Sequence, residues 1–183
     1  DFVDAAARAL GGVDVLVNNA AITGSTAISS LDALTLEQFE LVTRVNFGGP
    51  VFCSQAALPH LRAAGGGIII HISSINAIRP QRGAMIYAAT KAALGSLTQS
   101  MAKELAVDRI RVVAVAPGVI RVSTSKELEE SAQAGGAGSD VMNQTPLGDG
   151  EPADIAETVA FLCSPQAKFV TGVTWVVDGG LLA

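Results

Sequence analysis

Along this chain, short apolar runs alternate with longer stretches in which apolar positions recur every three to four residues. Val13-Asp14-Val15-Leu16-Val17 is a compact, β-branched run. GIIIHI at 67–72 and IRVVAVA at 110–116 are nearly all apolar, as strands buried on both faces should be. TWVV at 174–177 is a fourth strand, closed by Asp178-Gly179-Gly180. Between the strands the period lengthens. It predicts a helix over 36–61, interrupted near Gly48-Gly49-Pro50, a long helix over 84–105, and a third over 152–162 that carries Pro at its first turn. Alternation of strand and helix predicts an α/β fold on a parallel sheet. One region breaks the rhythm. From Val122 to Gly150 the chain is rich in Ser, Thr, Gly, Glu and Asn without periodicity, and a loop of that length is usually either functional or disordered. No internal repeat is evident.

Composition narrows the class. A length of 183 residues fits one domain with a sizeable core, and 49% hydrophobic against 4% aromatic residues makes that core aliphatic. A net charge of −5 argues against an electrostatic grip on nucleic acid or on anionic membranes. No apolar run reaches the roughly 20 residues that span a bilayer, and no signal peptide is recognised. Cys53 and Cys163 stand far apart in no CxxC arrangement, which reads as two free thiols in a reducing, cytoplasmic setting. His60 and His71 show no ligand spacing with each other or with the cysteines, so no metal site is expected. The chain opens with Asp1 inside a helical pattern (Phe2, Val3, Ala6, Ala9, Leu10), which reads as a fragment or a processed product.

The chemistry-bearing candidates lie where predicted strands end. Tyr87 and Lys91 are four apart on the long helix and share one face. A phenol, with a pKa near 10, is a poor base at neutral pH. An ammonium about 4 Å away contributes on the order of 4 kcal/mol at an effective dielectric of about 20, enough to bring the phenol to about 7. Such a pair exchanges a proton with an alcohol or ketone. The same spacing also fits a half-buried Tyr beside a Lys that reaches for solvent. Ser74 lies thirteen residues before Tyr87, just past the GIIIHI strand. It is either a turn cap or a hydroxyl facing the crevice where open α/β sheets bind ligands. Asn18-Asn19-Ala20-Ala21 and Pro117-Gly118 follow the first and third strands, as plain turns or as close backbone walls for a ligand. Asn46 is a poor helix former inside a helical stretch.

In this order, NNAA at 18–21, Asn46, ISS at 72–74, YAATK at 87–91, IRVVAVAPG at 110–118 and VTGVTWVVDGG at 170–180 resemble the short-chain dehydrogenase/reductase family across nearly the whole chain. The resemblance implies a Rossmann-like doubly wound parallel sheet of order 3-2-1-4-5-6-7, of which strands 4 to 7 are present. It implies Tyr87 as acid/base and Ser74 as the group that orients the substrate oxygen. Lys91 would lower the Tyr87 pKa and hold the nicotinamide ribose, and Asn46 would support a water-mediated proton relay to Lys91. Asn18, Ala20, Ala21, Tyr87, Lys91, Pro117, Gly118 and Ile120 would bind the cofactor, NAD or NADP. The reaction implied is reversible hydride transfer between nicotinamide and a secondary alcohol or ketone. Homotetramers or dimers would form through the helix of Tyr87 and through the last helix and strand, with Trp175 and Val177 contributing. TPLGDGEPADIA at 145–156 looks like 3-oxoacyl-carrier-protein reductases and glucose dehydrogenases alike.

The departures are specific. Ala21 stands where the family usually has Gly, Val122 (followed by Ser123) where a Thr usually binds the carboxamide, and Arg109 and Val113 where a turn Gly and a strand Asn are usual. The glycine-rich TGxxxGxG turn that holds the pyrophosphate is not in these residues, so the expectation is a single partial domain over 1–183 that lacks the first βαβαβ segment, with 123–150 beside the substrate. Two functions follow: an oxidoreductase, or a catalytically inactive remnant that acts only as an association module. A nucleotide-sugar epimerase also uses Tyr-x-x-x-Lys, but the short length, NNAA and the VDGG ending favour the simpler reductases.

Overall fold

A computed structural model describes residues 2–121 and 145–183. The chain runs α1 (Phe2–Leu10), β1 (Val15–Asn18), α2 (Leu36–Thr43), α3 (Gly49–Ala63), β2 (Gly67–Ile72), α4 (Met85–Leu105), β3 (Ile110–Pro117), α5 (Pro152–Cys163) and β4 (Thr174–Val177). All four strands are parallel, in the order β1-β2-β3-β4, with Val17 opposite Ile70, Ile70 opposite Val113 and Val115 opposite Trp175. This is the α/β parallel sheet that the alternating pattern predicts.

Side-chain alternation along β2 and β3 sends apolar groups to both faces. Ile69, Ile110 and Val112 pack against Val3 of α1, Ala57 and Leu61 of α3, and Ala102 and Leu105 of α4. On the other face Ile68, Ile70, Val113 and Val115 meet Leu162 of α5 and Ala167. That is why these strands carry no polar alternation. β1 differs. Its Leu16 packs on the first face, while Val15 and Val17, pointing to the second, remain 43% and 40% exposed.

Local chemistry sets the ends. Thr35 caps α2 by accepting from Gln38 N at 3.1 Å. Glu151 N donates to Asp154 Oδ2 at 2.7 Å at the start of α5, and Pro152 takes the first turn. The break expected near Gly48-Gly49-Pro50 is present but begins earlier, as a π-helical turn over Arg44–Gly48. Gly67 N donates to Arg109 O at 3.2 Å. Arg109 itself sits at φ 58°, a left-handed conformation that suits glycine and that costs an L side chain of order 1 kcal/mol.

Candidate active site

A cavity of about 790 Å³ opens at the carboxyl ends of the strands. Asn19 and Ala21 line it after β1, Ser73 and Ser74 after β2, and Pro117, Gly118 and Ile120 after β3. Tyr87 and Lys91 of α4 complete the wall. The opening of a parallel sheet at this end is where ligands bind in such folds, because the loops diverge there.

The end of β2 and the first turns of α4 are tied together. Lys91 Nζ donates to Ile72 O at 2.7 Å, and Ser73 Oγ donates to Lys91 O at 2.9 Å. Ser74 is extended, and its Oγ accepts from Asn76 N at 3.1 Å, capping the short 3₁₀ turn Ile75–Ala77. It is thus a cap and a cavity-facing hydroxyl at once. Lys91 Nζ lies 5.7 Å from the centre of the Tyr87 ring, within cation–π range.

Burial decides the electrostatics here. It raises the Tyr87 pKa above that of an ordinary phenol, and a side-chain hydrogen bond with Ser74 offsets only part of the rise. Burial lowers Lys91 to about 8. The expectation that Lys91 brings the phenol down to neutral range is therefore not met: burial dominates at Tyr87, and the Lys91 ammonium is engaged by Ile72 O. Next to it, His71 lies fully buried on β2, with Nδ1 3.0 Å from Thr98 Oγ1 and Nε2 without a partner among the described residues. Burial first, and the Lys91 charge second, lower its pKa to about 4, so its imidazole is neutral at pH 7.

The other sequence candidates are distributed unevenly. Asn46 is fully buried in the π turn, which packs against α4; its Oδ1 accepts from Ile22 N at 2.7 Å and its Nδ2 donates to Ile22 O at 3.0 Å. Its side chain clamps the segment after β1 rather than facing the cavity. Asn18 turns its Nδ2 to Ser54 Oγ at 3.2 Å, and neither it nor Ala20 lines the cavity. Gly118 is required by close packing, since a Cβ there would lie 2.6 Å from Asp178 Cα. Ile120 pairs with Gly150 in a short parallel bridge. Val122, Ser123 and most of the 123–150 segment fall outside the described residues.

Ile28, Asn76 and Gln81 also border the cavity and were not singled out from the sequence. They lie in irregular segments, where neither periodicity nor a motif marks them. Among the described residues no group of three or more His, Cys, Asp or Glu could hold a metal ion, and no helix is long and apolar enough to cross a membrane.

The family profile described as Enoyl-(Acyl carrier protein) reductase matches residues 1–182. The chain belongs to the short-chain dehydrogenase/reductase family. Among relatives within this family, it is 40% identical over 170 residues to a 3alpha-hydroxysteroid dehydrogenase of Mediterraneibacter gnavus, covering 92% of the chain and 65% of that protein. It is 36% identical over 179 residues to the human Dehydrogenase/reductase SDR family member 4, covering 98% of the chain and 63% of that protein. The chain therefore spans about two thirds of the length of these relatives or slightly less. A 3-ketoacyl-(acyl-carrier-protein) reductase from Brucella melitensis, solved in complex with NADH, superposes with a TM-score of 0.87 at 33% identity, covering 99% of this chain and 72% of that one. Solved members of the family thus share the Rossmann-type parallel sheet found here.

Proposed function

We propose that the protein is an NAD(P)-dependent oxidoreductase that interconverts a ketone and a secondary alcohol. The observation that carries this reading is the meeting of Ser74, Tyr87 and Lys91 in one cavity at the carboxyl ends of the strands. Burial keeps the Tyr87 phenol protonated at neutral pH, so it is ready to donate a proton to a carbonyl oxygen. Lys91, charged below about pH 8 and 5.7 Å from the ring, stabilises the phenolate as the proton leaves. The Ser74 hydroxyl orients the substrate oxygen beside Tyr87. The reverse direction returns the proton to Tyr87. Asn46 positions the wall after β1 through Ile22.

The small side chains of Ala21 and Ser73 leave room for a planar ring close to the backbone, and a volume of about 790 Å³ accommodates it together with a substrate. Ala21, Lys91, Pro117, Gly118 and Ile120 are the residues that would hold the nicotinamide half, with Asn18 and Ala20 supporting the same wall from behind. Bound there, the nicotinamide supplies or accepts the hydride.

The reading treats the chain as one domain and assigns 123–150, most of which lies outside the described residues, to the substrate side. It includes self-association into a dimer or tetramer through α4 and through α5 with β4. The support is an edge strand with exposed Trp175 and Val176, flanked by a Phe169 that is 99% exposed. A cytoplasmic setting accords with the free thiols of Cys53 and Cys163. The test is Tyr87→Phe, which keeps the ring and removes the proton. Ketone-dependent oxidation of NADH or NADPH is expected to fall roughly 10²–10⁴-fold; an undiminished rate would overturn the assignment.

A further inference from the structure

At the amino ends of the strands, opposite the cavity, lies a second pocket of about 380 Å³. Val15 of β1, Ile68 of β2 and the start of β3 form its floor, and Cys163 and Lys168 close the side toward α5. Three of the side chains that border it are cationic: Arg109, Arg111 and Lys168. In a chain of net charge −5 this is a local excess of positive charge. Asp14 is on the same rim, but it forms no ion pair among the described residues. Asp108, next to Arg109 in the chain, is engaged by Arg62 at 2.8 Å.

Two of the cations are placed rather than merely exposed. Arg111 is half-buried and donates to two main-chain carbonyls, Leu162 O at 2.6 Å and Val170 O at 3.2 Å. A guanidinium has five N–H groups, so donors remain. No carboxylate among the described residues pairs with it, and burial lowers its pKa, as it does for a cation without a counter-charge. Arg109 keeps its left-handed φ of 58°, which a glycine would adopt without strain. Strain that persists in a fold points to a position where the side chain itself is needed. A Cβ at Gly66 would lie 3.1 Å from Arg109 Cβ, and one at Gly65 would lie 3.9 Å from Arg109 Nη2. The Arg109 side chain thus runs along the bare Gly65–Gly66 backbone, which steadies its guanidinium beside the pocket.

We propose that Arg109, Arg111 and Lys168 form an anion site that binds the phosphate group of a small molecule, at the end of the sheet remote from Tyr87. Three cations against Asp14 leave an excess of positive charge that suits a phosphate, which carries close to two negative charges at neutral pH, better than a single carboxylate. Guanidinium forks match phosphate oxygens, and the lysine adds a point charge. Val15 and Ile68 leave an apolar floor for the body that carries the phosphate. The site shares no residue with the cavity, so it stands apart from the oxidoreductase reading.

Phenyl phosphate and benzoate test this by calorimetry at matched ionic strength, because both carry a phenyl ring and they differ in the anionic group. Phenyl phosphate is expected to bind at least about tenfold more tightly than benzoate. Arg109→Gly should weaken phenyl phosphate by about tenfold or more, while raising the melting temperature of the free protein because φ 58° no longer strains the chain. Lys168→Ala, at an exposed position, should weaken it in the same direction. Lys103→Ala removes the same charge from the exposed side of α4 and should leave the affinity within about twofold, since general screening alone acts there. Absence of phenyl phosphate binding, equal affinity for benzoate, or an affinity unchanged in both Arg109→Gly and Lys168→Ala overturns the proposal. An equal loss in Lys103→Ala does so too, because it would make the attraction one of net charge.

Discussion

His71 is the residue whose surroundings differ most from those of a free side chain. It faces the helices from the middle of a parallel sheet, beside Asn18 in the strand register, and hydrogen-bonds Thr98. With a folded pKa of about 4 against about 6.5 when unfolded, the unfolded chain binds the extra proton between those values. Its contribution to stability is therefore complete above pH 6.5 and is lost as the pH falls toward 4. Urea midpoints at pH 7, 5.5 and 4.5 should drop less steeply in His71→Leu than in the wild type, and parallel slopes would show that the imidazole is not held neutral. The sequence exposed the pairing of Tyr87 with Lys91 because a spacing of four is a property of the helix alone. It did not expose the direction of the Tyr87 pKa, which depends on how much solvent the fold removes. Nor did it mark Asn76, which borders the cavity and whose Oδ1 accepts from Gln81 N beyond the short 3₁₀ turn.

At the level of the elements, strands and helices were legible nearly to their ends. IRVVAVA and TWVV became β3 and β4 because continuous β-branched runs have few alternatives in a fold with helices on both faces. The break between α2 and α3 was misplaced toward Gly48-Gly49-Pro50. The π turn instead starts at Arg44, where the buried Asn46 amide takes both backbone groups of Ile22. That contact joins segments 24 residues apart and has no local signature. Close packing of β3 against the end of β4 makes a sharper prediction. Gly118→Ala would drive a Cβ to within 2.6 Å of Asp178 Cα, and it should cost about 1–3 kcal/mol in urea denaturation. Gly49→Ala, which meets nothing within 4 Å at the start of α3, is the control and should be neutral or stabilising by up to about 1 kcal/mol. Equal losses in both would remove the packing explanation.

For the whole molecule, the two rims of the sheet are unlike. β1 leaves Val15 and Val17 partly exposed, while β4 carries the exposed Trp175 and follows the exposed Phe169 and Val173, with Phe161 meeting Trp175 edge-on at 5.9 Å. Exposed strand edges with apolar side chains favour pairing with another chain. If copies associate through β4, Phe169→Asp combined with Trp175→Asp should shift sedimentation toward a smaller species, since a buried carboxylate in such an interface is unpaired. An unchanged distribution would exclude β4 as the contact. Parallelism was legible in the alternation of strand and helix and the strand order followed from the family resemblance, but the coverage of each face was not legible, because it depends on which helices return to which side.

The latch between β2 and α4 carries a consequence for redesign. Both of its acceptors, Ile72 O and Lys91 O, are main-chain atoms, and only Lys91 and Ser73 contribute side chains. The distance between the strand end and the tyrosine is thus indifferent to what side chain occupies position 72. An engineer can vary that position to reshape the cavity while the reacting pair stays in register, much as a fitting can be exchanged on a fixed mount.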